Sequence, residues 1–403
     1  MYRYKSEMGG NRMQTIIELY DDENFCNVLA ATVMKPQQVI FVGENRMIKK
    51  KNKERIILYF EKMKIPVKSY FYTVDIGDCD QIIETYKMLI NKFPDCAIDV
   101  TGGRYLPLLA AGMICEKEKV PVFYFDARKG KFVNIYGCPQ AEEFVNDTKF
   151  TVDQFVAMAG GMIVSGRNDN ALAGEMRSCI KSVWQIFWQK REQWPRFAQF
   201  LQKISSSQEH ENGLEVDAPS RIRVSGKDDL VCDTEILSLL EKAGVLENLQ
   251  VKDSRVKFIY RSHQLKSYLS DVGIWLELFA YTVAVESGYF DDVRVRVIVD
   301  WDGKFEDPGT VNEIDVIMTK GLSPLFISCK TSMPSTGSLN EIRILADKFG
   351  GRFVKPILLT TQNISKASPA VYQRAADLGV YIIQQDDLTG DKLINKLIRL
   401  AEI

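Results

Sequence analysis

Residues 312–331 read NEIDVIMTKGLSPLFISCKT: an apolar run carrying Asp315, a turn at KGLSP, and a second apolar run ending on Lys330. Side chains alternate across a strand. Glu313 and Asp315 are therefore expected on one face, and Ile314 and Val316 on the other. On the partner strand Ser328 and Lys330 share a face, while Ile327 and Cys329 point away. Upstream, Glu277 lies inside IWLELFA. A carboxylate in a nearly all-apolar helix is costly to bury unless a lysine or a divalent metal satisfies it. Glutamate on a helix, aspartate on a strand and lysine on the next strand could cleave phosphodiesters. Hard oxygen ligands hold Mg²⁺ or Mn²⁺, the cation activates a water, and the lysine stabilises developing negative charge. The candidate catalytic residues are Glu277, Asp315, Ser328 and Lys330; the candidate metal-site residues are Glu277, Glu313, Asp315 and Cys329. Singly, each has a plainer reading. An acid and a lysine on neighbouring strands usually form an exposed cross-strand pair.

A second candidate site lies at DVTGGRYLP, residues 99–107, where a strand ends and a helix begins. Ligands of open α/β sheets bind outside such carboxyl ends. Gly102 and Gly103 would let the backbone approach a ligand closely. The helix N-terminus offers free N–H groups to an anion. Thr101 can donate a hydroxyl, and Arg104 can meet a phosphate with two parallel hydrogen bonds. An ordinary βα turn would also use Gly-Gly. Asn24, in YDDEN after the first strand, falls at the same sheet edge and is a further candidate for the pocket.

The elements that must position these residues follow from periodicity. From residue 14 to about 135, apolar strands (15–20, 38–43, 67–74, 96–103, 120–127) alternate with helices, which predicts a parallel sheet covered on both faces. Residues 130–135 are expected as an antiparallel edge strand, and 150–205 as helical, with Trp184, Trp188 and Trp194 at helical spacing. The Trp184/Trp188 pair is expected in core or interface packing rather than stacked on bases. SSSQEHENG, 205–213, reads as a linker. Residues 233–249 read as two helices broken at Gly244, followed by a strand at 255–262, the pattern of a small winged-helix-like module. The remainder begins with a buried helix at 273–287. Strand 293–299, the hairpin, strands 354–361 and 380–385, and helices near 339–349 and 369–377 complete a mixed α/β domain.

The segments IWLELFAY, VNEIDVIM, PLFISCKT and LADKFGG together resemble the PD-(D/E)XK nuclease superfamily. More narrowly, they resemble the nuclease domain of CRISPR ancillary nucleases activated by cyclic oligoadenylates. The resemblance implies an N-terminal Rossmann-like CARF sensor at 13–150, a helical connector at 151–215, a winged-helix-like module at 216–262 and a restriction-endonuclease-like domain at 263–403. It assigns Glu277 as the helix glutamate, Asp315 as the metal-binding aspartate and Lys330 as the catalytic lysine. Ser328 departs from the pattern, standing where the glutamate of E-x-K usually stands. Glu277 or Glu313 replaces that carboxylate, Glu341 from the next helix does, or the site is weakened or dead. The first reading is favoured, because Glu313 shares the expected face of Asp315 and Glu277 is otherwise unexplained. In the sensor, Tyr105 stands at the usual lysine position of a T-G-G-x-K-like turn, with Arg104 just before it. The resemblance further implies cyclic tetra-adenylate as activator, a homodimer gripping it across a two-fold axis, and cleavage of single-stranded DNA, RNA or plasmid DNA.

The chain has 403 residues and a formal net charge of −1, so no global basic field draws nucleic acid, although RMIKKKNKER (46–55) is locally basic. The N-terminus lacks an apolar core and reads as a short extension before Met13; no apolar run is long enough to span a membrane, and a cytoplasmic protein is expected. Eight cysteines without a CxxC pair argue against zinc. His210 and His263 are the only histidines, and neither has arginine five residues before it, which excludes an R-x4-H ribonuclease. The rival reading is a ligand-responsive DNA-binding regulator that uses residues 220–262 and carries an inert C-terminal domain.

Overall fold

The computed structural model describes residues 14–126, 129–144, 149–164, 174–205, 213–223, 228–301, 311–351, 353–389 and 391–402. The N-terminal extension and most of the expected linker, including His210, lie outside the described residues. The N-terminal half runs β1 (Thr15–Leu19), α1 (Asn24–Met34), β2 (Gln38–Glu44), α2 (Lys50–Lys62), β3 (Lys68–Val74), α3 (Cys79–Lys92), β4 (Cys96–Asp99), α4 (Tyr105–Glu118), β5 (Val122–Asp126) and β6 (Lys131–Tyr136). The strands form one sheet in the order β3-β2-β1-β4-β5-β6, parallel except for β6 at the edge. β1 reads apolar on both faces because both faces are covered. Ile16 packs with α1 and α2, and Ile17 with α3 and α4. The strand order reverses between β1 and β4. That makes their carboxyl ends the switch point where a ligand crevice opens.

The next segment links the two halves of the molecule. α5 (Val152–Met158) starts on a reciprocal cap between Thr151 and Gln154. Its Phe155, Ala157 and Met158 pack in the N-terminal core, while Val152 and Val156 pack in the C-terminal one. Phe25 at the start of α1 stacks on Phe155 at 6.3 Å and meets Phe353 edge-on at 6.0 Å. β7 (Met162–Ile163) then adds an antiparallel edge to the C-terminal sheet, so the segment expected to be wholly helical contributes a strand.

α6 (Gly174–Gln189), α7 (Trp194–Ser205), β8 (Glu215–Pro219), β9 (Arg221–Ile222), β10 (Leu230–Val231), α8 (Thr234–Lys242), β11 (Leu246–Lys252), β12 (Arg255–Tyr260) and α9 (His263–Leu269) build the middle of the chain. Here one expectation is corrected. The second helix expected before residue 249 is β11, paired antiparallel with β12 in the sheet β11-β12-β8. A bulge between Glu247 and Gln250, with Asn248 at φ 58°, breaks the two-residue alternation. Without that alternation, VLENLQ imitates a helical pattern.

The C-terminal part runs α10 (Ile274–Ser287), β13 (Asp292–Asp300), β14 (Val311–Lys320), β15 (Ser323–Lys330), α11 (Thr336–Phe349), β16 (Lys355–Thr360), α12 (Ile364–Ala367), α13 (Pro369–Asp377), β17 (Tyr381–Ile383) and α14 (Lys392–Glu402). Its sheet order is β17-β16-β15-β14-β13-β7. The β13-β14-β15 meander is antiparallel, and β15, β16 and β17 run parallel. α10 is buried between this sheet and the α6–α7 pair: Trp275 is fully buried edge-on to Trp194, and Phe279 stacks on Trp184 at 4.4 Å. The core holding Trp184 also reaches into α8, β11 and β12, so the small unit is packed continuously with the C-terminal domain.

Gly161 tests the junction. A Cβ there would lie 2.5 Å from Phe349 and 2.8 Å from the Asp300 carbonyl. Because backbone cannot yield as a flexible side chain does, Gly161→Ala is expected to destabilise the fold by about 1–3 kcal/mol, measured as a lower Tm in thermal unfolding.

Candidate active site and switch-point turn

At the centre of the C-terminal sheet the pleat inverts. Val295, Val316 and Met318 pack towards α10, whereas Val297, Val299, Ile314 and Ile317 pack in the opposite core with α5 and α11. Ile314 and Val316 thus do not share a face, contrary to strict alternation. The break falls at Arg296 and Asp315, which would face each other across β13 and β14 but are skipped in the pairing. Arg296 has φ 54°, a left-handed conformation that costs a residue bearing a Cβ on the order of 1–3 kcal/mol. The β14–β15 ladder also stops short of Asp315, ending at Val316 opposite Ile327.

Asp315 fills that gap itself. Its Oδ2 accepts the Cys329 N–H at 2.6 Å and the Ser328 hydroxyl at 3.4 Å, and lies 3.6 Å from Lys330 Nζ. Glu277, in the first turn of α10, faces the same space. No described side chain forms a hydrogen bond or ion pair with it. Burial holds its carboxyl at about 8 against an ordinary 4.5, repulsion from Asp315 adds to the rise, and Arg296 partly offsets it. Burial also raises Asp315, but Lys330 and the Cys329 N–H oppose the rise. Of the two, Glu277 is the one that holds a proton at neutral pH.

The other expected residues divide. Ser328 spends its hydroxyl proton on Asp315. Burial, followed by the charges of Asp315 and Glu277, pushes the Cys329 thiol far up, so its contribution is the backbone N–H. Glu313 lies outside the pair, bonded to Arg296 Nε at 3.1 Å. Glu341 is exposed on α11. Among the described residues no set of three or more His, Cys, Asp or Glu forms a ligand cluster. The donor set that does converge is two carboxylates that repel each other and share no counter-ion besides Lys330 and Arg296. Mg²⁺ needs little more, since it keeps several waters and is held by one or two carboxylates plus substrate phosphate. The residues present fit such an ion.

At the switch point the turn after β4 is tied to the loop after β1. The Gly103 N–H donates to Asp21 Oδ2 at 2.8 Å, and Arg104 pairs with Asp22. Gly103 has φ 106°, and a Cβ there would lie 2.7 Å from Leu19 Cβ; one on Gly102 would lie 2.9 Å from Cys26 Cβ. Both glycines are therefore required by close packing. The Thr101 hydroxyl is committed: it donates to Asp99 at 2.5 Å and accepts the Phe125 N–H at 2.8 Å. Tyr105 stands fully free, 92 % exposed. Asn24 begins α1 and lines a cleft of about 220 Å³ with Asp22, Asp347, Lys348 and Gly351, between the two halves. Beneath the turn, Glu18 and Asp99 are buried side by side on paired strands, and burial lifts Asp99 to about 7. Sequence reading passed over Asp21, Glu18, Asp99 and Arg296. Acids inside apolar strands were the available signal for Glu18 and Asp99.

A Rossmann-like parallel sheet joined to a mixed α/β domain that carries an acid pair beside a lysine is the architecture that fold and site define. Residues 267–399 match the family model for the Card1-like endonuclease domain. No curated protein matches the sequence. The fold is similar to protein VC1899 from Vibrio cholerae, with TM-score 0.74 and 16% identity over 97% of this chain and 99% of that one. It is also similar to Can2 from Sulfobacillus thermosulfidooxidans, solved with cyclic tetra-adenylate, with TM-score 0.66 and 18% identity over 97% and 98%.

The Glu277 carboxyl gives a pH test. The folded chain keeps its proton up to about pH 8, whereas the unfolded chain releases it near 4.5. Stability must fall as pH rises between those values. Glu277→Gln is expected to flatten that decline and to raise Tm at pH 8.5 by roughly 3 °C or more. Scanning calorimetry across pH 5–9 checks both outcomes. Gly103→Ala is expected to lower Tm in a thermal-shift measurement, because the turn cannot close against Leu19.

Proposed function

We propose that the chain is a metal-dependent endonuclease, largely indifferent to sequence, that a cyclic oligoadenylate switches on in type III CRISPR antiviral defence. The observation that carries this reading is the convergence of Glu277 and Asp315 beside Lys330, 3.6 Å from Asp315, inside the segment that matches an endonuclease domain. Glu277 and Asp315 would hold Mg²⁺ or Mn²⁺, and when bound the ion supplies a water acidified for attack and neutralises phosphate charge. Burial raises Asp315, and Lys330 and the Cys329 N–H oppose that rise by favouring its charged form. Glu277 gives up its proton on loading, so metal affinity rises with pH. Lys330 places a compact positive charge where the pentavalent phosphate develops negative charge. Ser328 supplies no charge, and Glu277 takes the place of the usual second carboxylate.

The activator we propose is cyclic tetra-adenylate, on the likeness in fold to Can2, the protein solved with that ligand. The switch-point turn of Gly102, Gly103, Arg104 and Tyr105 is where the ring would sit. A homodimer is the assembly we propose. Tyr105, Leu109 and Met113 form an exposed apolar stripe along α4, 92%, 58% and 53% exposed, starting at that turn. A second copy packed there would place two turns around one symmetric ring. The regulator reading gains nothing from the structure. The exposed residues of α8 are Thr234, Glu235 and Lys242, one acid against one base, so the helix offers DNA phosphates no excess of positive charge.

Cleavage of single-stranded DNA, single-stranded RNA and supercoiled plasmid, with Mn²⁺ or Mg²⁺ and each of cyclic tri-, tetra- and hexa-adenylate, tests the reading. Cutting should require activator and metal, and should fall at least about 100-fold in Asp315→Ala and in Lys330→Ala. Cutting that ignores every cyclic oligoadenylate would remove the sensor half of the proposal. Tight ligand binding without any cutting would remove the nuclease half.

A further inference from the structure

We propose that Arg296 is a phosphate-binding residue of the active site, held in place by Glu313. This rests on the nuclease reading above. Arg296 sits on β13 directly across from Asp315, at the position where pairing between β13 and β14 lapses. Its backbone is left-handed, φ 54°, a conformation glycine would adopt freely. What arginine adds at that position is its side chain. The Arg296 side chain is one-third exposed, at 32%, beside an acid that is less exposed than it is, Asp315 at 18%. Nε is fixed by Glu313 Oε1 at 3.1 Å. Among the described residues nothing else hydrogen-bonds the guanidinium, which leaves its two terminal nitrogens for a bidentate contact with an oxyanion.

The surrounding charges favour a role beyond neutralising acids. Partial burial works against the charge of Arg296, and Glu313, Glu277 and Asp271 outweigh it. Lys330 approaches Asp315 from β15, and Arg296 comes from β13 on the other side. A strand laid across Asp315 would therefore meet a cation on each side, a flexible point charge and a planar fork. The fork suits the equatorial or neighbouring phosphate oxygens, and the ammonium suits a single atom. Glu313, which the sequence places among the metal-site candidates, becomes a positioning residue that aims Arg296.

The test uses the full chain with cyclic tetra-adenylate, fluorescein-labelled single-stranded DNA and its RNA counterpart. Cleavage kinetics are compared for the parent, Arg296→Gly and Arg296→Lys. Affinity against salt is measured in the non-cutting Lys330→Ala background with the same substitutions added. Arg296→Gly should keep or raise Tm, because glycine accepts the left-handed backbone. It should lower kcat/KM by about 100-fold and reduce the slope of log affinity against log salt by about 0.7, the release of one phosphate contact from a single strand. Arg296→Lys should keep most of the salt slope but recover only part of kcat/KM. Glu313→Gln should raise KM more than it lowers kcat, with the salt slope retained. Unchanged slope and unchanged kcat/KM in Arg296→Gly would overturn the proposal and leave Arg296 as a counter-charge for Glu313. A parent that cuts neither strand defeats the nuclease reading separately, while the salt slope still decides the Arg296 contact.

Discussion

The C-terminal half is organised around a pair of carboxyls at a break in its own sheet. Asp315 interrupts the ladder on both sides and replaces lost backbone bonds with its side chain, taking the Cys329 N–H at 2.6 Å. Glu277 is driven against it by the burial of α10. A group left buried without a partner is expensive, so this arrangement persists only because a rigid surround enforces it. The surround is the stack of Trp184, Phe279, Trp275 and Trp194 behind α10 and the apolar strands on either side of the break. Stability is given up at this point, and the surplus elsewhere offsets it. Strained or electrostatically unsatisfied groups of this kind mark sites built for a ligand that supplies the missing charge.

The switch-point turn and the acid pair belong to different sheets, yet the contacts between them are continuous. Asp21 binds the Gly103 N–H, and Asp22 pairs with Arg104. Two residues further on, Asn24 opens α1, and Phe25 stacks on α5 and meets Phe353. α5 in turn contributes Val152 and Val156 to the core beneath the pleat inversion. A ligand that rearranged Asp21 or Asp22 would act on the start of α1, and so on the packing shared by both halves. Coupling of this sort needs an element with two arrangements whose balance the ligand biases. The cleft around Asn24, Lys348 and Gly351 is where the two halves could shift against each other.

Much of this was legible from residue types and periods. The alternating strands and helices of residues 14–135 can form only a covered parallel sheet, because each strand is apolar on both faces. Glu277, Asp315 and Lys330 stood out because charge inside apolar runs is costly wherever the run is buried. Two features were not legible. β11 was hidden because its bulge at Asn248 destroys the alternation by which strands are recognised. Thr101 looked like a free donor, since nothing in DVTGG reveals that Asp99 and Phe125 consume its hydroxyl.

By itself, then, the sequence determined the fold class and which charged residues had to be accounted for, since burial patterns and the cost of buried charge are local properties of the chain. Only the tertiary structure decided how those residues divide the work. Alternation predicts Glu313 beside Asp315, but the left-handed Arg296 and the skipped Asp315 invert the pleat, sending Ile314 and Val316 to opposite cores. That inversion gives Glu313 to Arg296 and leaves Glu277 as the partner of Asp315. A one-residue irregularity in a strand changes the facing of everything beyond it, and it is fixed by packing between elements far apart in sequence, which no local pattern records.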